Sequence, residues 1–147
     1  MAGIKVFSKA GSVVTVPTPN LRDMFLKFDA QHFENTLVSS GLNIELEWNT
    51  RLRTCAGRCR CSTCFGKYLP KKIELSYETF RVINFKQSEV DETMIHEMCH
   101  AYIAIKHNEL GHGWRFQSKM ASIMKDGRSD YTFHHIDVSS LRNKSRW

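Results

Sequence analysis

The chain has 147 residues, of which 41% are hydrophobic and 24% are charged, and its formal charge is +6. This length and composition fit one globular domain with a single core and exclude a disordered or fibrous protein. No apolar run approaches the roughly 20 residues that span a membrane, and no apolar block of a signal peptide opens the chain. We therefore expect a soluble, intracellular monomer with no membrane partner, whose positive charge favours polyanions without identifying one.

The first 19 residues contain one β-prone run at 13–16 (VVTV), followed by Pro17 and Pro19. A segment of this kind, outside any sustained periodic pattern, is typical of a loosely attached leader. We expect residues 1–19 to be a flexible leader without a part in chemistry. Residues 20–147 are then expected to form the domain.

The next stretches indicate one helix and three strands. Apolar residues over 21–33 recur at steps of three and four after Asn20, which predicts a core helix with Asn20 as its N-cap. Alternation over 42–48 predicts a half-buried strand, and weaker signals predict a second strand over 52–57 and a third at 73–75. Strands followed by a long helix predict an α+β fold, with a short sheet packed on that helix.

Residues 51–72 contain seven basic side chains and no acid. A hairpin tip kept in solution by its charge explains this pattern. A surface that contacts phosphates, with Phe65 or Tyr68 stacking on unpaired bases, explains it equally well from the residues alone. The candidate DNA-binding residues are Arg51, Arg53, Arg58, Arg60, Lys67, Lys71 and Lys72.

Four of the five cysteines lie in the same segment. Their odd total argues against a disulfide framework and favours a reducing compartment. Cys61 and Cys64 have the spacing of a metal-binding knuckle, but a structural zinc site usually joins two such knuckles across a longer loop. A second, structural zinc ion is therefore not expected, although its candidate ligands would be Cys55, Cys59, Cys61 and Cys64.

His96, Glu97 and His100 form an H-E-x-x-H motif within a long, apolar-rich helical pattern. Histidines four residues apart share one helix face and can bind one zinc ion, while Glu97 can take a proton from a zinc-bound water and pass it to a leaving amine. An ordinary amphipathic helix is the alternative. The apolar flanks argue against it, because three polar groups in an apolar helix need a shared partner.

The third zinc ligand must lie further along the chain. The position six residues beyond the motif, where one class of zinc proteases has histidine, is Lys106. Of the remaining candidates we prefer His112, because the glycines on both sides of it allow a sharp turn back over the helix. His107 is better explained as a residue at the helix C-terminus, and His134 and His135 as structural or surface residues.

The ends of the two late helices can also be predicted. Ser88 is the candidate N-cap of the helix that carries the motif. Apolar residues from 116 to 124 continue a helical pattern that Gly127 would end. A short β-prone run follows at 131–134.

The run HEMCHAY, followed after a short loop by GHGWRF, resembles the SprT-like zinc metalloproteases. The segments 55–59 (CAGRC), 73–76 (IELS) and 131–134 (YTFH), and the helix at 21–33, extend the resemblance over about residues 20–147. It implies a small zincin-like domain with one catalytic zinc bound by His96, His100 and His112. It also implies that Glu97 is the general base.

The chain resembles most the DNA-dependent branch of this family, which degrades proteins crosslinked to DNA. This resemblance implies a DNA-dependent zinc endopeptidase of DNA–protein crosslink repair, located in the nucleus or on chromatin, and it shifts the basic segment towards DNA binding. The alternative is a zinc-containing DNA- or chromatin-binding module with weak or no protease activity. Glu97 argues against that alternative, because a structural zinc site has no use for such a carboxylate.

Overall fold

The computed structural model describes residues 3–7 and 13–125 of the chain. The predictions for Gly127, the run at 131–134 and the histidines at 134 and 135 lie outside the described residues. Strands β1 (Gly3–Phe7) and β2 (Val13–Pro17) pair in antiparallel fashion, which confirms the strand predicted at 13–16. The division into a leader of residues 1–19 and a domain of residues 20–147 stays a prediction.

Helix α1 (Leu21–His32) begins as predicted, because the side chain of Asn20 accepts a hydrogen bond from the backbone N–H of Asp23. Its apolar side faces the core. The short helix α2 (Thr36–Ser39) follows, and the fully buried carboxylate of Asp29 accepts the N–H groups of Leu37 and Val38 at 3.1 and 2.9 Å. These bonds join the two helices.

The main sheet has three strands: β3 (Glu45–Asn49), β4 (Gly57–Cys64) and β5 (Lys67–Ser76), in the order β3-β5-β4. β3 runs parallel to β5, and β4 runs antiparallel to it. The second strand predicted over 52–57 is wrong. The side-chain oxygen of Asn49 accepts the N–H groups of Arg51 and Leu52, which makes a turn there, so β4 begins only at Gly57.

The third strand is longer than the three residues predicted for it, because β4 and β5 form a hairpin. Phe65 and Gly66 both have positive φ, at 50° and 76°, and make the tight turn between the strands. The register shifts between Arg60 and Cys61, where the hairpin has a bulge or a similar irregularity. Cys59, Cys61 and Cys64 are therefore part of this hairpin, and Cys55 lies two residues before it.

The two faces of the sheet differ in character. Ile73 and Leu75 are fully buried on the inner face. Gly57 lies opposite Leu75, and a Cβ at this glycine would come within 3.0 Å of side-chain atoms of both Leu75 and Thr93. The cross-strand neighbours on the outer face are charged: Glu45, Glu47, Arg58, Arg60, Lys72 and Glu74.

Three further helices follow: α3 (Tyr77–Arg81), α4 (Gln87–His107) and α5 (Trp114–Lys125). α4 packs against β4, β5 and three of the other helices, which confirms the α+β fold with a short sheet on the motif helix. Ser88 is not the cap of α4. The N-cap residue is Lys86, two residues earlier, because its carbonyl already accepts the N–H groups of Glu89 and Val90.

α4 ends at Asn108, whose left-handed backbone (φ 54°) closes the helix through an N–H bond to the carbonyl of Ala104. Among the described helices, none combines the length and the apolar character that a membrane span requires.

Candidate metal centre

Three imidazoles meet where α4 and the first turn of α5 come together. His96 and His100 lie one turn apart on the helix, and Nε2 of His112 lies 3.2 Å from Nε2 of each of them. Within residues 3–7 and 13–125, this is the one group of three or more His, Cys, Asp or Glu side chains placed to share a metal ion. All three histidines are half-buried.

The spacing of the nitrogens fits a metal ion. Tetrahedral zinc with Zn–N bonds of about 2.0–2.1 Å holds two ligand nitrogens about 3.3 Å apart. Nε2 of His112 faces two other ring nitrogens at the same 3.2 Å, and one N–H cannot point at both. Burial also lowers the pKa of His112, which favours the neutral form that binds metals. The three residues can therefore hold one divalent cation.

The loop between α4 and α5 brings His112 back over α4. Gly111 has a φ of 85°, which a side chain would disfavour, whereas Gly113 is not in the left-handed region. The side chain of Gln117 then donates a 2.7 Å hydrogen bond to the carbonyl of His112, and the N–H of Gln117 donates to the carbonyl of Gly113. The first turn of α5 thus fixes the backbone of the third histidine.

Phe116 contacts all three imidazoles and is the residue of the site whose role the sequence did not reveal. Its ring stacks on His100 with centroids 4.4 Å apart, and it meets His96 and His112 at 5.0 Å each. The ring is 5% exposed. The sequence offers two signals, its position four residues after His112 and its place at the end of the GHGWRF run, but these indicate only a core helix and a family motif and no contact with the histidines.

Glu97 lies next to the histidines and is completely buried. Burial raises the pKa of its carboxyl group well above the usual range. Within the described part of the chain, neither of its oxygens has a hydrogen-bond partner. Buried polar atoms without partners are rare in native proteins, and they concentrate where a group has a catalytic or ion-binding role.

His107, the other candidate for the third ligand, lies exposed in the last turn of α4, where a basic side chain faces the negative end of the helix dipole. It is not part of the three-histidine group.

Four of the seven candidate DNA-binding residues form ion pairs. Arg58 and Arg60 contact the buried carboxylate of Glu74 at 2.7 and 3.1 Å, and Lys72 contacts Glu47 at 2.9 Å. Arg53 is 3.7 Å from Glu78. The outer face of the sheet therefore combines three bases with three acids. The exposed candidates for which no ion pair is found within the described residues are Arg51, Lys67 and Lys71.

The four cysteines proposed as a possible second zinc site are not brought together. The described residues contain no cluster of three or more sulfurs that could share an ion, and all five cysteines are free. Cys59 and Cys61 are neighbours, and the hydrogen bond between their thiols raises the pKa of Cys59 and lowers that of Cys61. Cys55 is buried near the start of β4, and Cys64 is exposed at the hairpin tip.

Comparison of the sequence with known proteins identifies a family. The model of the SprT-like family matches residues 21–136. The DNA-dependent metalloprotease dvc-1 of Caenorhabditis elegans is 32% identical over 135 residues, which are 89% of this chain and 35% of that protein. The DNA-dependent metalloprotease SPRTN of Homo sapiens is 32% identical over 122 residues, and that of Danio rerio is 31% identical.

The matched region covers 81% of this chain but only 23% of the human protein and 18% of the zebrafish protein. The chain thus spans about a third or less of the length of these relatives.

Proposed function

The chain belongs to the SprT-like family, and from this premise we propose that it is a DNA-dependent zinc endopeptidase that cleaves proteins bound or crosslinked to DNA. The observation that carries the proposal is the meeting of three imidazole nitrogens beside a fully buried glutamate. In a helix with a purely structural role, burying a carboxyl group without a hydrogen-bond partner next to such a cluster would cost stability and bring no benefit.

In this proposal His96, His100 and His112 hold the zinc ion. Zinc, when bound, polarises the scissile carbonyl and makes the attacking water more acidic. A carboxylate oxygen of Glu97 accepts the proton of that water, and the same oxygen then delivers the proton to the nitrogen of the leaving amine. Burial strengthens Glu97 as a base, because the desolvated carboxylate gains more from binding a proton than an exposed one would.

Phe116 would keep the three imidazoles in position. Its ring packs against all of them and closes one side of the site to water. Trp114, two residues after His112, is 71% exposed. A large, exposed aromatic ring beside a hydrolytic centre suits contact with a protein substrate.

DNA enters the proposal as activator and scaffold. The relatives are named DNA-dependent metalloproteases, and the chain carries a formal charge of +6. Exposed cations without an ion pair in the described residues, at Arg51, Lys67 and Lys71, are available for phosphates. A role in crosslink repair would place the protein in the nucleus or on chromatin, and we expect it to act as a monomer.

The test is cleavage of a DNA-binding protein, such as a histone, by the purified chain loaded with zinc, with and without single-stranded DNA. We expect cleavage only with DNA. We also expect Glu97→Gln to abolish cleavage while the protein retains about one zinc ion, because the amide cannot act as a base and the ligands are untouched. A chelator should abolish cleavage, and added zinc should restore it.

Three results would each contradict the proposal. Zinc binding without cleavage under any DNA condition would identify a zinc-containing DNA- or chromatin-binding module. Full cleavage by Glu97→Gln would show that Glu97 is not the general base. Equal cleavage with and without DNA would show that the activity does not depend on DNA.

A further inference from the structure

A groove of about 680 Å³ lies between the tip of the β4–β5 hairpin and the C-terminal end of α4. It is lined by segments that are distant in sequence: the connection between α2 and β3, the start of β5, the C-terminal end of α4 and the first turn of α5. None of its lining residues is acidic. They are Ser40, Leu42, Lys67, Tyr68, Leu69, Ala104, Ile105, Lys106, His107, Asn108 and Arg115.

Asn108 fixes the shape of this groove. Its side-chain oxygen accepts the N–H of Tyr68 at 2.8 Å, and its side-chain amide donates to the carbonyl of Gly66 at 3.0 Å. The two hydrogen bonds join the end of α4 to the hairpin tip, across 40 and 42 positions of sequence. The groove is therefore built by the fold before a ligand arrives.

The charges around the groove favour an anion. Lys67 and Lys106 are exposed on its two sides, and Arg115 adds a third permanent charge that is partly offset by an ion pair with Glu109. Cations contributed by three different elements around one concave surface fit a chain of phosphates better than a single ion.

The floor of the groove is apolar, since Leu42, Leu69 and Ile105 line it, and the half-buried ring of Tyr68 borders it. Cations along a groove together with an aromatic ring are the combination that binds single-stranded nucleic acid, because the ring stacks on a base while the cations contact the backbone. A duplex does not offer its base faces for stacking.

We propose that this groove binds single-stranded DNA, with phosphates at Lys67, Lys106 and Arg115 and one base on Tyr68. The inference deepens the proposed function, since it rests on DNA being the activator and assigns a place for it. Arg115 lies three residues after His112 and directly before Phe116. DNA in the groove therefore contacts the segment that carries the third metal ligand and the ring beneath it.

The test is binding of a fluorescein-labelled oligothymidine to the zinc-loaded Glu97→Gln chain, measured by fluorescence anisotropy over a range of salt concentrations. Each of Lys67→Gln and Lys106→Gln should weaken binding about fivefold at 0.1 M salt and make the log–log salt slope shallower by about 0.7. Tyr68→Ala should weaken binding, and Tyr68→Phe should not, because stacking uses the ring and not the hydroxyl.

Lys86→Gln is the matched control, because Lys86 is an exposed lysine at the N-terminal end of α4, opposite the end that borders the groove, and it does not line the groove. It should change binding much less than either groove lysine. Equal losses in all three lysine variants, or unchanged binding in the groove variants, would overturn the inference. So would binding of an acidic polyglutamate peptide, in place of DNA, that depends on the same two lysines.

Failure of the inference can be told apart from failure of the proposed function. If the chain cleaves protein only with DNA and the groove variants bind DNA normally, the groove is not the DNA site and the proposed protease function still holds. If the groove variants lose DNA binding but the parent chain cleaves no protein, the groove is the DNA site and the proposed protease function is wrong. The zinc content of every variant should be measured, since an unchanged value shows that the metal centre is still folded.

Discussion

The ring of Phe116 stacks on the imidazole of His100, with centroids 4.4 Å apart and ring planes at 26°. The same ring meets His96 and His112 edge-on at 5.0 Å. Three potential metal ligands from two separate segments thus rest on one buried side chain. The orientation of ligand imidazoles affects metal affinity, so Phe116 is a positioning residue of the centre.

Phe116→Leu should weaken zinc binding about tenfold or more while lowering the free energy of unfolding of the metal-free chain by only about 1–2 kcal/mol. Leucine keeps apolar volume but cannot support three rings. Competition with a chromogenic chelator measures the affinity, and urea unfolding measures the stability. The control is Phe80→Leu, a fully buried ring that packs on Trp48, which should cost similar stability without changing zinc affinity.

His112→Ala should reduce the bound zinc well below one ion per chain after dialysis, because two remaining histidines make a weak, open site. His107→Ala should leave the zinc content unchanged, since this side chain is exposed and is not part of the three-histidine group. Atomic absorption on both variants decides between the two histidines. The reverse pattern would assign the third ligand to His107.

Glu74→Gln should lower the free energy of unfolding at pH 7 by about 1–3 kcal/mol. Burial alone would raise the pKa of Glu74, but hydrogen bonds from Arg58 and Asn49 outweigh it and lower the pKa below its usual value. A lowered pKa means that the ionised carboxylate stabilises the fold above the unfolded-state pKa. This contribution is lost as pH falls through the lower, folded-state pKa.

The difference between the parent chain and Glu74→Gln should therefore shrink as the pH falls below about 4. Urea unfolding at several pH values measures it. Glu45→Gln, at an exposed position on the same sheet face, should change stability little at any pH. A difference that stayed constant down to acid pH would show that the ion pairs of Glu74 do not stabilise the fold.

Two replacements of Asn108 separate the loss of its side-chain hydrogen bonds from the strain of its left-handed backbone. Asn108→Gly keeps the left-handed backbone but removes both side-chain hydrogen bonds to the hairpin, which should cost about 1 kcal/mol of stability. Asn108→Ala loses the same bonds and also strains the backbone at a φ of 54°, which should cost about 1–2 kcal/mol more. Thermal unfolding of the two variants gives the difference. Equal losses would show that the conformation at this position relaxes freely.

Much of the metal centre could be predicted from the sequence, because its geometry is mostly local. Histidines four residues apart on a helix must share a face, and the H-E-x-x-H spacing placed Glu97 beside them. His112 could be preferred over His107 from its flanking glycines, although Gly111 alone adopts the positive φ that only glycine takes easily. Phe116 could not be recognised, since its role depends on how α5 packs against α4.

The ion pairs of the basic segment, residues 51–72, could not be predicted from the sequence. Residues 51–72 contain no acid, yet Glu47 from β3 and Glu74 from the end of β5 face Arg58, Arg60 and Lys72 across the sheet. The parallel pairing that brings β3 beside β5 has no local signal in the sequence. The groove at Tyr68 depends in the same way on a hydrogen bond to Asn108, 40 positions away.

Gly57 allows the sheet to pack closely against the helix that carries two of the histidines. A methyl group at this position would come within 3.0 Å of Thr93, which lies on α4 one turn, or about 4.5 Å, before His96. At Gly57 the backbone of the sheet therefore packs directly on the side chain of Thr93 from α4. A larger residue at position 57 would have to displace the side chains of Leu75 and Thr93, and we expect the resulting shift of α4 to move His96 and His100 relative to His112.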